Sequence, residues 1–161
     1  MENKQSLLEQ LTPLAVLKAL TPEAKSAVTS SCLGSEYIGI WKFPFRIGRE
    51  SRVENIDGKL VVSERVKLSQ GKPNNDIYLV DHGQFLQISR QHFQIEEAGN
   101  GYTVLDRGSA CGTIIADQKI GGEDRGGYCE LKDGDSIRIG SEDSPYLFEF
   151  ITLRNDTERV R

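Results

Sequence analysis

The sequence predicts an all-β domain, a sandwich of two mainly antiparallel sheets with a short helical appendage at its N-terminus. Three observations carry that expectation. Short runs rich in aromatic and β-branched residues recur between residues 24 and 152, alternating inward and outward positions. Turn signals separate them, among them Ala98-Gly99-Asn100-Gly101 and Asp133-Gly134. Helical spacing is confined to residues 1–23, where Leu7, Leu8 and Leu11, then Leu14, Leu17 and Leu20, recur among good helix formers.

Taken in order, Thr12-Pro13 and Thr21-Pro22 each read as an N-cap followed by proline in the first turn, which predicts two short helices broken near Thr12. Their leucine stripe calls for a cover, and packing on the following domain is expected. Tyr37 to Phe43 and Phe45 to Ile47 are strands around a break at Pro44, and Asp76 to Val80 is a further short one. His92 to Glu96 alternates, with Phe93 and Ile95 inward, and Tyr102 to Leu105 resumes after the turn. Ile137 and Ile139 face inward near the end, and Tyr146, Phe148 and Phe150 share one face of a closing strand. This divides the chain into a helical appendage (1–23), a sandwich (24–152) and a polar, flexible tail (153–161). Within the sandwich, 50–73 is a long inserted connection, with Gly58 to Val62 and Arg65 to Leu68 expected to pair as a hairpin.

Bulk properties exclude several classes. With 161 residues, the chain suits one well-buried core and an appendage. A net charge of −4 argues against a nucleic-acid binder, and no apolar run could cross a bilayer. Met-Glu-Asn-Lys-Gln begins neither a basic region nor an apolar stretch, so no secretory signal and a cytoplasmic location are expected. Cys32, Cys111 and Cys129 form no C-x-x-C pair, which fits free thiols in a reducing compartment. His82, His92 and the carboxylates fall into no nucleophile–base arrangement, no phosphate-cradling G-x-x-x-x-G-K-[ST] loop is present, and no metal-ligand spacing stands out. An enzyme, a metal and a cofactor are therefore not expected.

Three short blocks carry the chemistry. Phe45-Arg46-Ile47-Gly48-Arg49 is a strand ending at an arginine, whose guanidinium can present a two-pronged donor to phosphate oxygens. Ser89-Arg90-Gln91-His92 enters a strand from a loop, with a hydroxyl and a second arginine available. Ser109-Ala110-Cys111-Gly112-Thr113 is a tight loop. In this order, with Asn75 to Leu79 and with Leu131-Lys132-Asp133-Gly134-Asp135 and Ile137-Arg138-Ile139-Gly140 after them, they resemble the forkhead-associated (FHA) domain.

That resemblance implies a module reading phosphothreonine in a partner protein downstream of a Ser/Thr kinase. It implies phosphopeptide contacts from Arg49, Ser89, Arg90, Ser109, Cys111 and Gly112, with Gly48, His92 and Thr113 supporting the site. The sequence departs from the pattern at Ala110 and Cys111, where the family typically has threonine and asparagine. A thiol is a weak donor and a weak acceptor, so the grip on the peptide backbone is reduced. Contacts to flanking peptide residues must then compensate, and 50–73 is the candidate source. A second reading stays open: a degenerate FHA fold serving as a phosphate-independent interaction surface or scaffold. Thr12, Thr21 and Thr157 are candidate phosphorylation sites for self-association.

Overall fold

The computed structural model describes residues 3–29, 31, 33–50, 53–62 and 74–154. Its N-terminal helix α1 (Lys4–Leu11) is capped by Asn3, whose side chain accepts from the Ser6 amide at 2.8 Å. No residue of α1 is buried, and Leu7, Leu8 and Leu11 are exposed, so the expected packing of this stripe on the domain is not observed. Thr12 is the C-terminal cap of α1 and not the start of a second helix.

The predicted second helix is instead strand β1 (Ala15–Ala19). Over this segment strand pairing on both sides, with Leu17 buried between the sheets, outweighs the helical spacing of the leucines. Strand β1 runs antiparallel to β2 (Tyr37–Ile40) and to β13 (Leu147–Thr152), with Leu17 opposite Ile38 and Phe150. The sandwich therefore begins at Ala15, within the segment assigned above to the appendage. Helix α2 (Pro22–Ala27) follows as a single short element. Its N-cap is Thr21, whose hydroxyl accepts from the Ala24 amide and donates to the Pro145 carbonyl. Of the threonines suggested for phosphorylation, Thr12 is exposed, Thr21 is held in this cap, and Thr157 lies outside the described residues.

Two sheets form the body. The first has the order β10-β9-β12-β13-β1-β2, with β9 (Thr113–Ile115), β10 (Gln118–Ile120) and β12 (Ser136–Ile139), all pairs antiparallel. The second has the order β11-β8-β7-β3-β6, built from β3 (Phe45–Arg49), β6 (Ile77–Leu79), β7 (Phe93–Ala98), β8 (Gly101–Asp106) and β11 (Gly127–Leu131). Only its β3–β6 pair is parallel. The core lies between the sheets, where Leu17, Ile38, Phe148 and Phe150 of the first meet Ile47, Phe93, Ile95 and Val104 of the second, all buried. Burying each such side chain stabilises the fold by about 1.5–3 kcal/mol.

The inserted connection does contain a hairpin, β4 (Val53–Ile56) with β5 (Lys59–Val62), but the partner of β5 precedes it. Asp57 and Gly58 both have positive φ, 52° and 79°, the geometry of a tight two-residue turn that Asp-Gly favours. The expected Arg65–Leu68 strand lies outside the described residues. No helix among the described residues is long and apolar enough to cross a membrane.

Candidate functional site

The three sequence blocks meet at one rim of the sandwich. Gly48 lies within β3. It is glycine because the backbone comes too close for anything larger: an added Cβ would lie 2.0 Å from the Arg90 carbonyl oxygen and 2.5 Å from Asn75 Nδ2. This approach brings the end of β3 against the 88–90 segment. The Arg49 amide donates to the Ser89 carbonyl at 2.9 Å, and Arg49 Nε donates to the Ile88 carbonyl at 2.8 Å. Arg49 ends β3, as expected, but is only 8% exposed and is held against the β6–β7 loop.

The β8–β9 loop joins from the other side. The Ala110 amide donates to Ser89 Oγ at 3.0 Å, and the Cys111 thiol points to the Leu86 carbonyl at 3.6 Å. Ser89 Oγ therefore accepts from one loop and retains its own proton for a ligand. Arg90 is exposed, and its carbonyl accepts from Asn75 Nδ2 at 2.7 Å. The Arg107 guanidinium fixes Asn75 in turn, donating to its Oδ1 at 2.5 Å and to the Asn74 carbonyl at 3.0 Å. Arg49, Ser89, Arg90, Ala110 and Cys111 are thereby brought to one place, at the meeting of three loops.

The FHA domain family model matches residues 45–140, more than half the chain. The chain belongs to the FHA family. Solved structures agree in fold. The FHA domain of an Arabidopsis thaliana hypothetical protein has a TM-score of 0.50 at 19% identity, covering 89% of each chain. The yeast splicing factor Pml1 has a TM-score of 0.54 at 19% identity, covering 88% of this chain and 80% of its own. The N-terminal FHA domain of Saccharomyces cerevisiae Rad53p, solved with a phosphothreonine peptide, has a TM-score of 0.52 at 14% identity, covering 91% and 98%. No curated protein sequence matches the chain.

Within this FHA domain, two residues expected to touch a ligand belong to the framework. Ser109 is fully buried: its Oγ donates to Asp106 Oδ2 at 2.6 Å and accepts from the Gly112 amide at 3.0 Å. Gly112, at φ 86°, is buried, with its amide on Ser109 and its carbonyl on His92. Both shape the loop that presents Ala110 and Cys111. Sequence reasoning passed over the group that organises it, Asp106, whose carboxylate accepts from the Gly108 and Ser109 amides and from the Ser109 and Thr113 hydroxyls. The signal was in place, since an Asp two to three residues ahead of Gly-Ser is the usual side chain for closing such a turn.

His92, expected to brace the loops, sits fully buried between two of them. The Ser89 amide donates to its Nδ1 at 2.9 Å, which leaves the proton on Nε2, and Nε2–H donates to the Gly112 carbonyl at 2.8 Å. Burial lowers its pKa, against the opposing pull of the Gly112 carbonyl and of Asp106 and Asp81. The unfolded imidazole takes its proton near the ordinary value of 6.5, while the folded one resists. The stabilisation is accordingly complete above about pH 6.5 and is lost as pH falls from there towards the lower folded pKa. Melting temperature measured by circular dichroism should drop between pH 7.5 and 5.5, and His92→Asn, though less stable at neutral pH, should show a flatter profile over that range.

Asp81 organises the β6–β7 loop and was not singled out from the sequence. Its Oδ2 accepts from the Gln87 and Ile88 amides at 2.7 and 3.0 Å. Its Oδ1 accepts from the Gly83 amide at 2.9 Å and from the Tyr146 hydroxyl at 2.7 Å. Burial, with the bond to Asp81, pushes the Tyr146 hydroxyl pKa upward, so it stays a donor at all physiological pH. Among the described residues no cluster of His, Cys, Asp or Glu is arranged to hold a metal ion.

Proposed function

We propose that this FHA domain binds phosphothreonine in a partner protein, as a signalling module downstream of Ser/Thr kinases. The observation that carries the reading is that the segments bearing Arg49, Ser89 and the exposed Arg90 are tied together at one rim, with the Ser89 hydroxyl proton left for a ligand. A phosphate dianion is matched by such a set: a forked cation, a hydroxyl donor and a second cation. The loops are fixed by buried hydrogen bonds before any ligand arrives, so little ordering entropy is spent on binding. The Rad53p domain, of similar fold, was solved with a phosphothreonine peptide, and that supports a phosphothreonine ligand here.

Magnitudes limit what the phosphate alone can do. Three charge-assisted bonds at about 1.5–3 kcal/mol each give roughly 4–9 kcal/mol, against an association cost on the order of 4–15 kcal/mol. Contacts beyond the phosphate are therefore required. A second reading, a phosphate-independent interaction surface, draws on the Cys111 thiol being directed to the Leu86 carbonyl, where it offers a peptide little.

Calorimetric titration with matched peptides carrying phosphothreonine, phosphoserine or threonine separates the two. Phosphothreonine should bind at least tenfold tighter than threonine; equal weak binding of all three would favour the second reading.

A further inference from the structure

The β6–β7 loop carries Phe85 at its tip, 81% exposed, more than any other large apolar side chain among the described residues. An exposed aromatic on a floppy loop would mean little, but this loop is built rigidly. The Asp81 carboxylate closes both ends of it through the Gly83, Gln87 and Ile88 amides. Gln87 is fixed in turn: its Oε1 accepts from the Ser141 amide at 2.9 Å and hydroxyl at 3.1 Å. Its side chain also lies so close to Gly140 that an added Cβ there would meet it at 2.4 Å. Residues 82–86 are thus held out from the body with Phe85 projecting.

The same loop is fastened to the two neighbouring parts of the rim. Leu86, next to Phe85, receives the Cys111 thiol on its carbonyl, and Ile88 receives Arg49 Nε on its own. The backbone that carries Phe85 is thereby fixed one residue from the Cys111 contact and three from the Arg49 contact, on a rim where the phosphate contacts fall short and the thiol holds a peptide poorly. Fixed aromatic side chains are enriched at recognition surfaces because they offer large contact area at small entropic cost.

We propose that Phe85 is a specificity-determining contact, taking an apolar side chain close to the phosphothreonine in the same peptide. This rests on the phosphopeptide reading above. An extended peptide spans about 3.3–3.6 Å per residue, so a neighbouring side chain a few positions from the phosphate can reach the loop tip.

The test is a set of phosphothreonine peptides in which a single leucine replaces glycine at each flanking position in turn, titrated against the wild-type domain, Phe85→Ala and Phe85→Leu. Their unphosphorylated counterparts serve as controls. At one position the wild type should prefer leucine by about tenfold. Phe85→Ala should bring that ratio close to one, and Phe85→Leu should restore most of it. Coinciding melting curves are expected, since the ring is largely in solvent. If Phe85→Ala keeps the wild-type ratios while still discriminating phosphothreonine from threonine, this inference fails and the phosphopeptide reading stands. If the wild type binds phosphorylated and unphosphorylated peptides alike, both fall.

Discussion

Replacing Arg49 by alanine should remove the proposed phosphothreonine-dependent binding, with an expected loss of at least 100-fold in calorimetric titration. In this reading the guanidinium gives the phosphate two charge-assisted bonds, and losing them at about 1.5–3 kcal/mol each accounts for that magnitude. The residue also holds the rim together, because its Nε donates to the Ile88 carbonyl. Alanine leaves that carbonyl without this donor, so a loss of about 1–3 kcal/mol in stability accompanies the binding defect. Arg49→Lys separates the two roles. Lysine keeps the charge but cannot hold the Ile88 carbonyl and offer a fork at the same time. Its binding should fall by about tenfold or more, with a smaller change in melting temperature than in the alanine variant. Arg49→Ala binding phosphorylated peptide as the wild type does would contradict the assignment.

Asp106→Ala has the largest expected effect on stability. The carboxylate is 4% exposed and accepts from the Gly108 and Ser109 amides and the Ser109 and Thr113 hydroxyls. Alanine would strand these donors in a dry interior, at a cost of roughly 3–5 kcal/mol. For a domain of this size the melting temperature falls by about 10 °C or more. Asp106→Asn is milder, since its remaining oxygen serves the amides while the hydroxyls can turn to accept from the new NH₂ group. Gly121 packs over the same carboxylate, and an added Cβ would lie 2.2 Å from Asp106 Cγ, so the pocket is shaped for this one group. A melting temperature unchanged by Asp106→Ala would overturn the role given to it.

How much of this the sequence revealed depends on how local each signal was. The β7–β8 hairpin was legible, because Phe93 and Ile95 alternate up to a four-residue turn signal and the pairing is between neighbours. The inward faces of β12 and β13 were legible for the same reason. Strand β1 was not, since the leucine spacing over 14–20 satisfies a helix, and only pairing with β13, far along the chain, decides for a strand. The β4–β5 hairpin was misassigned although Asp57-Gly58 is a strong turn signal, because the apolar run after Arg65 competed for the same partner.

At the site, the blocks themselves were legible and the burial of their side chains was not. Ser109 was expected as a contact through the resemblance alone; its burial follows from Asp106, three residues earlier, turning inward. Arg49 was legible as the end of a strand, but its anchoring depends on the Ile88 carbonyl, which Asp81 positions from outside any motif. Phe85 had no pattern to mark it, since its meaning lies in the stiffness of the loop that carries it.

The central claim is that Arg49, Ser89 and Arg90 act together on one phosphate, with the Ala110 amide holding Ser89 in place. The matched-peptide titration, followed at the backbone amide resonances, tests it most directly. Phosphothreonine peptide should shift the amides of Arg49, Ser89, Arg90 and Ala110 together, along one binding curve, while the threonine peptide leaves them in place. Shifts confined to another surface, or the same shifts with unphosphorylated peptide, would contradict it.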